Sequence, residues 1–298
     1  MKAIVTGGAG FIGSHLVDRL IELGHEVVVF DNLLTGKVEN LNPKCQFRHL
    51  DISVWDELLL AEDDFNKCDV IFNLAASKKT ISGRDPSKDL QINGNGSLMM
   101  LQLAVKHHVK RFLQASTGSV VGICDDVITE EAPLNPVSYY GVSKLAGEKY
   151  VRVFDRLFDI DCTVLRYYHV IGSRQDASTE GGVCAIFQRL IKENKPITIF
   201  GDGFQERLFT HVNDVVKANI NAWQNPISYG QIYNVANDQQ VTINELAYKL
   251  MHQIGNKVEI RYKDPIPDDI YYFMIDNTKI REHLDIRFMP FKNSIQNI

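Results

Sequence analysis

Thr6-Gly7-Gly8-Ala9-Gly10-Phe11-Ile12-Gly13 decides how this chain is read. It follows directly on the apolar run Ala3-Ile4-Val5 and opens the stretch Gly13–Leu23, where apolar residues recur at helical spacing. A glycine spacing alone is a weak signal, but between a strand and a helix it marks a phosphate-binding turn. Gly7 permits the tight turn, Gly10 lets backbone N–H groups approach a pyrophosphate, and Gly13 lets the helix pack close to the sheet. Phe11 and Ile12 belong to the first turn of that helix, whose N-terminus faces the anion.

The next strand-like run, Glu26–Phe30, leads to Asp31. A carboxylate there accepts two hydrogen bonds from the adenosine ribose and repels a 2′-phosphate, which favours NAD over NADP. Asn32 follows without any arginine to reverse the preference, and Lys37 is the nearest cation. Further on, Asp51 and Ile52 follow the strand-like QFRHL and are candidates for the adenine end of the site. Asp51 suits the adenine amino group, and it reads equally well as the N-cap of a helix over Val54–Leu60.

The rest of the chain narrows the class. With 298 residues, 45% hydrophobic and 23% charged, it can bury a substantial core. A net charge of −5 and the absence of a basic run interleaved with aromatics argue against nucleic acid. No apolar run approaches the roughly 18 residues that span a bilayer. The glycine-rich N-terminus reads as a cofactor loop rather than a signal peptide, so the expected location is cytoplasmic. Cys45, Cys68, Cys124, Cys162 and Cys184 are odd in number and form no CxxC pair. They read as buried free thiols, and no metal site is expected.

Runs at residues 3–5, 26–30, 70–75, 111–116 and 162–168 are β-branched and apolar, each separated from the next by a helix-length stretch. That alternation predicts an α/β fold, a doubly wound parallel sheet of the Rossmann type. Helical spacing extends over Gln91–His107, Val183–Asn194, Asn213–Gln224 and Ile243–Ile254. Beyond residue 170 the alternation loosens. The expected division is a cofactor-binding domain over 1–168, with some later segments returning to it, and a smaller, partly interleaved domain over 169–298 that mainly binds substrate.

Tyr140 and Lys144 lie four residues apart and share one helix face, about 5–6 Å apart at their Cβ atoms. A tyrosine with a reference pKa of about 10 becomes a base at neutral pH only if that value falls by roughly 3 units, or about 4 kcal/mol. An ammonium and a positively charged nicotinamide beside the phenol would supply this. Upstream, Ala115-Ser116-Thr117 ends a strand at the sheet edge where ligands of open α/β folds sit, and Thr117 is placed to bond a substrate oxygen that loses its proton to Tyr140. Ser77, Lys78 and Lys79 are candidates to reach a phosphate or a sugar.

Together these residues resemble the NAD-dependent epimerase/dehydratase family of extended short-chain dehydrogenase/reductases. NLAA (73–76), RDPSKDLQIN (84–93), ASTGSVVG (115–122), YYGVSK (139–144), LRYYHVIGSRQD (165–176), IFGDG (199–203) and RLFTHVND (207–214) stand in the family's order. The resemblance implies that Leu74, Ala75 and Ala76 flank the cofactor and that Asn93 lies beneath the site. It implies further that Arg207 contacts the diphosphate of a nucleotide sugar, UDP-sugars being favoured. His169 replaces an asparagine of the family, and Ile266 stands where an arginine is usual. A homodimer built on the helices that include Gln91–His107 and Tyr140–Phe154 is also implied.

The resemblance also sorts the reactions. Dehydratases of the family carry an acid pair after the threonine, and sugar-acid decarboxylases a glutamate two residues after it. Here those positions are Gly118 and Ser119, which cannot transfer that proton. Epimerisation of a nucleotide-diphosphate sugar at C4, through a 4-keto intermediate, fits best. A one-way sugar dehydrogenase or 4-ketoreductase needs the same residues, and a non-catalytic NAD sensor is the reading outside enzymes.

Overall fold

The apolar runs of the first half become strands of one sheet in a computed structural model of the chain. The description covers all residues except Glu180, 266–270 and Phe273, and excludes the side chains of Lys79, Thr80 and Asn297. In chain order the first half forms β1 (Lys2–Thr6), α1 (Phe11–Glu22), β2 (Glu26–Asp31), β3 (Gln46–His49), α2 (Trp55–Leu60), β4 (Val70–Asn73), α3 (Lys79–Ser82), α4 (Pro86–Leu90), α5 (Ser97–Lys106), β5 (Arg111–Thr117), α6 (Tyr139–Leu157) and β6 (Asp161–Tyr167). The second half continues with β7 (Val170–Ile171), α7 (Val183–Lys192), β8 (Ile197–Phe200), β9 (Glu206–Leu208), β10 (Thr210–His211), α8 (Val212–Gln224), β11 (Ile232–Val235), β12 (Gln240–Thr242), α9 (Ile243–Ile254), β13 (Ile260–Lys263), α10 (Thr278–Leu284) and α11 (Phe291–Ser294).

Seven parallel strands form the central sheet in the order β11-β6-β5-β4-β1-β2-β3. The inner strands are buried along almost their whole length because both of their faces are covered, whereas β3, Gln46–His49 at the sheet edge, is largely exposed. Ala3, Val5, Val27, Val29, Val70 and Phe72 face one core with Leu16, Leu20, Val215 and Trp223 from α1 and α8. Their alternates, Ile4, Val28, Phe30, Ile71 and Phe112, face a second core with Leu58, Met100, Leu103 and Val151 from α2, α5 and α6. This is the two-residue period of a strand made visible in packing.

The strand order reverses between β1 and β4, and a crevice opens at the carboxyl ends there. The second half returns to this unit through β11, which pairs with β6, and through α8 and α10, whose Trp223, Ile280 and Leu284 join the first core. A third core, including Phe187, Ile199, Phe209, Leu246 and Phe291, holds the other C-terminal elements. The boundaries of α9 match its sequence pattern because both ends carry local stop signals: Thr242 accepts from Glu245 N, and Gly255 closes the helix at φ +80°.

The stretch predicted as one helix over Gln91–His107 departs from expectation. Residues Gln91–Gly96 form a π-helical turn, and the α-helix starts only at Ser97. Asn93 sits in that turn with its amide fixed by Asp89 and Ser143 and its Oδ1 taken by Ser77 N. These fixed partners accompany a local widening of the kind that often marks functional sites. Among the cysteines, Cys68, Cys162 and Cys184 are buried free thiols as expected, whereas Cys45 and Cys124 are only half-buried. No helix among the described residues is long and apolar enough to cross a membrane.

Candidate active site

One cavity of about 260 Å³ occupies the crevice. Its lining includes Gly7, Gly10, Phe11, Ile12 and Gly13 after β1, Asp31 and Asn32 after β2, Asp51 and Ile52, Leu74–Ala76 and Lys78 after β4, and Tyr140 and Lys144 of α6. The structure thus brings together all the residues expected at the cofactor. Gly7 has φ +70°, and a Cβ there would lie 2.8 Å from Ala75 N. A Cβ on Gly13 would lie 2.8 Å from the carbonyl carbon of Gly7, so the helix meets the loop with no room for a side chain. This is a cradle shaped for a dinucleotide's pyrophosphate.

Asp31 is buried and already oriented: Oδ2 accepts from Ala9 N at 3.0 Å and Oδ1 from Leu33 N at 2.8 Å. Burial pushes its carboxyl up, and those two N–H groups oppose the rise. Each oxygen keeps a second lone pair for a ribose hydroxyl. Lys37, the nearest cation along the sequence, pairs with Glu39 at 3.8 Å.

Asp51 does not cap α2. Its Oδ1 accepts from Ser53 N at 2.9 Å and Ser53 Oγ at 2.6 Å, and its Oδ2 from Asn32 Nδ2 at 2.8 Å. The N-cap position belongs to Val54, because a turn closed by Val54 N on Asp51 O intervenes before the helix.

Ser138 starts α6 by accepting from Gly141 N, which places Tyr140 in the first turn and Lys144 one turn on. The Thr117 side chain lies beside the Tyr140 phenol, and its Oγ1 donates to Ser119 Oγ at 3.4 Å. Thr117 itself lies just beyond the cavity lining. Burial pushes the Tyr140 phenol up to about 12, the Asp89 carboxylate adds to this, and Thr117 opposes it. The expected lowering is therefore not a property of the protein groups alone. Burial draws Lys144 down to about 8, against the carboxylates of Glu148 and Asp89.

With the fold and the crevice in view, the comparison with known sequences is decisive: the profile of the NAD dependent epimerase/dehydratase family matches residues 3–236. The chain belongs to this family. It is accordingly an NAD-dependent enzyme of the extended short-chain dehydrogenase/reductase type. Among solved relatives of this family member, the UDP-glucose 4-epimerase of Thermotoga maritima with UDP-glucose has a TM-score of 0.95 at 36% identity, covering 99% of this chain and 96% of that one. The UDP-glucose 4-epimerase of Mycolicibacterium smegmatis is 37% identical over 295 residues, 95% of this chain and 92% of its own length. A UDP-glucuronic acid decarboxylase of Arabidopsis thaliana is 32% identical over 298 residues, 96% of this chain and 66% of its own length.

Not every residue expected at the substrate of this epimerase/dehydratase family member joins the cavity. His169 adopts φ +40° and sets its ring edge-on to Phe209, and Arg207 on β9 donates from Nη1 to Glu206 O at 2.7 Å. Both lie outside the cavity lining. Lys78 does line it, with Nζ 2.7 Å from Asp176 Oδ2. Ile266 and the side chain of Lys79 lie outside the described residues.

Three buried charged residues near Tyr140 and Lys144 escaped the sequence reading: Asp89, Glu148 and Arg166. Glu148 was within reach, since it extends the spacing of Tyr140 and Lys144 by one more turn. Arg166 and Asp89 join only through packing of β6 and α4 on α6.

Proposed function

We propose that this enzyme epimerises a nucleotide-diphosphate sugar at C4 through a transient 4-keto intermediate, with a UDP-sugar as the favoured substrate. The observation that carries this reading is that Tyr140 and Lys144, one turn apart on α6, both line the cavity, with Thr117 beside the phenol and no acid at positions 118 and 119. NAD, when bound, supplies the acceptor for the C4 hydrogen with its electron pair, and a positive charge beside the phenol. Tyr140 takes the proton of the C4 hydroxyl while Thr117 holds that oxygen. Burial holds the phenol at about 12 and Thr117 opposes the rise, so the further lowering that a base at neutral pH needs comes from positive charge placed beside it. With Gly118 and Ser119 beyond Thr117, the 4-keto sugar meets no acid for elimination or decarboxylation, and Tyr140 returns the proton to O4 once the sugar has turned over.

Gly7, Gly10, Phe11, Ile12, Gly13, Asp31, Asn32, Asp51, Ile52 and Leu74–Ala76 hold the cofactor in this proposal, and Lys78, His169 and Arg207 serve the substrate. Residues 1–168, with the segments that return, form the cofactor domain, and 169–298 mainly the substrate domain. The working form is a cytoplasmic homodimer, a reading supported by Tyr139, Val142, Val153 and Leu157, which leave an apolar face of α6 exposed.

The test is NMR in D2O with UDP-, dTDP-, CDP- and GDP-sugars, adding NAD but no reductant. A C4 epimer without deuterium uptake is expected, from a UDP-sugar first. Turnover only with stoichiometric consumption of NAD, or of added NADH, overturns epimerisation in favour of a one-way oxidoreductase.

A further inference from the structure

Tyr140, Lys144 and Glu148 occupy successive turns on one face of α6, and the buried cluster beneath them contains four charged groups. Lys144 and Glu148 are each 2% exposed, Arg166 1% and Asp89 0%. Glu148 is matched by Arg166: Oε1 accepts from Arg166 Nε at 3.0 Å and from Ser116 Oγ at 2.5 Å, and Oε2 accepts from Arg166 Nη2 at 2.9 Å. Glu148 nevertheless also raises Lys144, and does so more than Asp89, which has no cation bonded to it.

Asp89 is held from one side only. Its Oδ1 accepts from Asn93 Nδ2 at 3.1 Å, and that amide also donates to Ser143 Oγ at 2.9 Å. Its Oδ2 is buried with no hydrogen-bond partner. Of the elements packed on α4, α6 carries Tyr140, Lys144 and Glu148 on one face, and the π-helical turn brings only neutral side chains. The described side chains of α3, Ile81 and Ser82, carry no charge. A buried charge without a partner costs several kcal/mol, so a carboxylate in this position implies a cation as its complement.

We propose that Asp89, buried with one unpartnered oxygen on the helix packed against α6, is a second counter-charge of Lys144 beside Glu148, a positioning residue that helps keep the lysine an ammonium inside the buried site and so shapes the working pH range of the Tyr140–Lys144 pair. The carboxylate acts on both groups in the same direction, raising Lys144 and Tyr140 together. Removing its charge therefore moves both toward acid.

Asp89→Asn keeps an acceptor for Asn93 and removes the charge. The first measurement is an NMR titration of the Lys144 side chain in lysine-labelled full-length protein, its resonance identified by its loss in Lys144→Arg. The expected wild-type titration lies near 8. In D89N, compared in the same cofactor state, it falls by about one unit or more. The second is the pH–rate profile, whose two limbs both shift toward acid in D89N, whereas a purely structural role lowers the amplitude and leaves the limbs in place. An unmoved Lys144 titration in folded D89N overturns the proposal. So does a wild-type Lys144 that titrates below about 6, the range of lysines buried without a counter-charge, and this measurement needs no variant. The inference rests on the acid–base reading of Tyr140 and Lys144 only through the rate profile. If Tyr140→Phe stays fully active while the Lys144 titration moves as described, the catalytic reading fails and the charge pairing stands.

Discussion

The ring of Tyr168 lies directly on Gly118, so that a Cβ added at position 118 would fall 2.5 Å from Cδ1 and 2.6 Å from Cζ. The residue after Thr117 is thus glycine because the next-but-one residue after Arg166 fills its side-chain space. Gly118→Ala is expected to destabilise the fold by about 1–3 kcal/mol through overpacking. In a double-mutant cycle with Tyr168→Ala, urea denaturation should give a favourable coupling of at least about 1 kcal/mol. For the same reason Gly118→Asp is expected to lose folded enzyme rather than gain elimination activity, which assays of soluble yield and of dehydration will show.

Tyr140 is the group whose removal should hurt chemistry without hurting binding. Tyr140→Phe is expected to lower kcat by roughly 10²–10⁴-fold, the usual contribution of a general base, with little change in KM. Thr117→Val keeps the shape and removes one hydroxyl, and about a tenfold loss in kcat is expected. Steady-state kinetics on the substrate identified by NMR checks both, and equal losses in the two variants would contradict the assigned roles.

Asp31 carries the cofactor preference in this reading. Asp31→Asn turns one acceptor into a donor that faces Ala9 N–H or Leu33 N–H, and removes the charge that repels a 2′-phosphate. Hydrogen bonds to a charged group are worth about 1.5–3 kcal/mol, so NAD affinity should fall about tenfold or more. NADP affinity should fall less, and calorimetric titration of both cofactors measures the ratio.

Lys78, which lines the cavity, and Asp176 join the segment after β4 to the loop after β7. Burial pushes the Asp176 carboxyl up, but the hydrogen bonds from Lys78 and Ser178 outweigh it and hold it at about 2, below the ordinary 3.8. A group depressed in the folded state stabilises it above its unfolded value and loses that effect as pH falls through the folded one. Wild type should therefore be more stable than Asp176→Asn at neutral pH, and the gap should begin to close below about pH 4. Both side chains are about one-third exposed, so solvent screening keeps the gap small. Denaturant midpoints between pH 6 and 3 follow it.

How far the sequence reached depends on the range of each interaction. Strands β1, β2, β4, β5 and β6 were legible because their residues are apolar on both faces, and the glycine loop because its context is a strand before and a helix after. Tyr140 and Lys144 were legible for a similar reason, since four residues along a helix is one turn whatever surrounds it. By contrast β11, Ile232–Val235, is four residues long, and its place beside β6 is fixed only by pairing with a strand about 70 residues earlier. Arg207 and His169 were assigned by resemblance and lie outside the cavity lining.

The sequence alone determined the doubly wound sheet, the glycine loop between its first strand and helix, and the placement of Tyr140 and Lys144 on one helix face, because backbone preference and side-chain periodicity act between near neighbours. Only the tertiary structure decided that Asp89 is buried with an unpartnered oxygen on the helix packed against α6, that Glu148 is matched by Arg166, that Tyr168 closes the space beside Gly118, and that burial raises the Tyr140 phenol instead of lowering it. Those outcomes depend on charge balance and excluded volume among elements far apart in the chain, and such quantities exist only once the elements have packed.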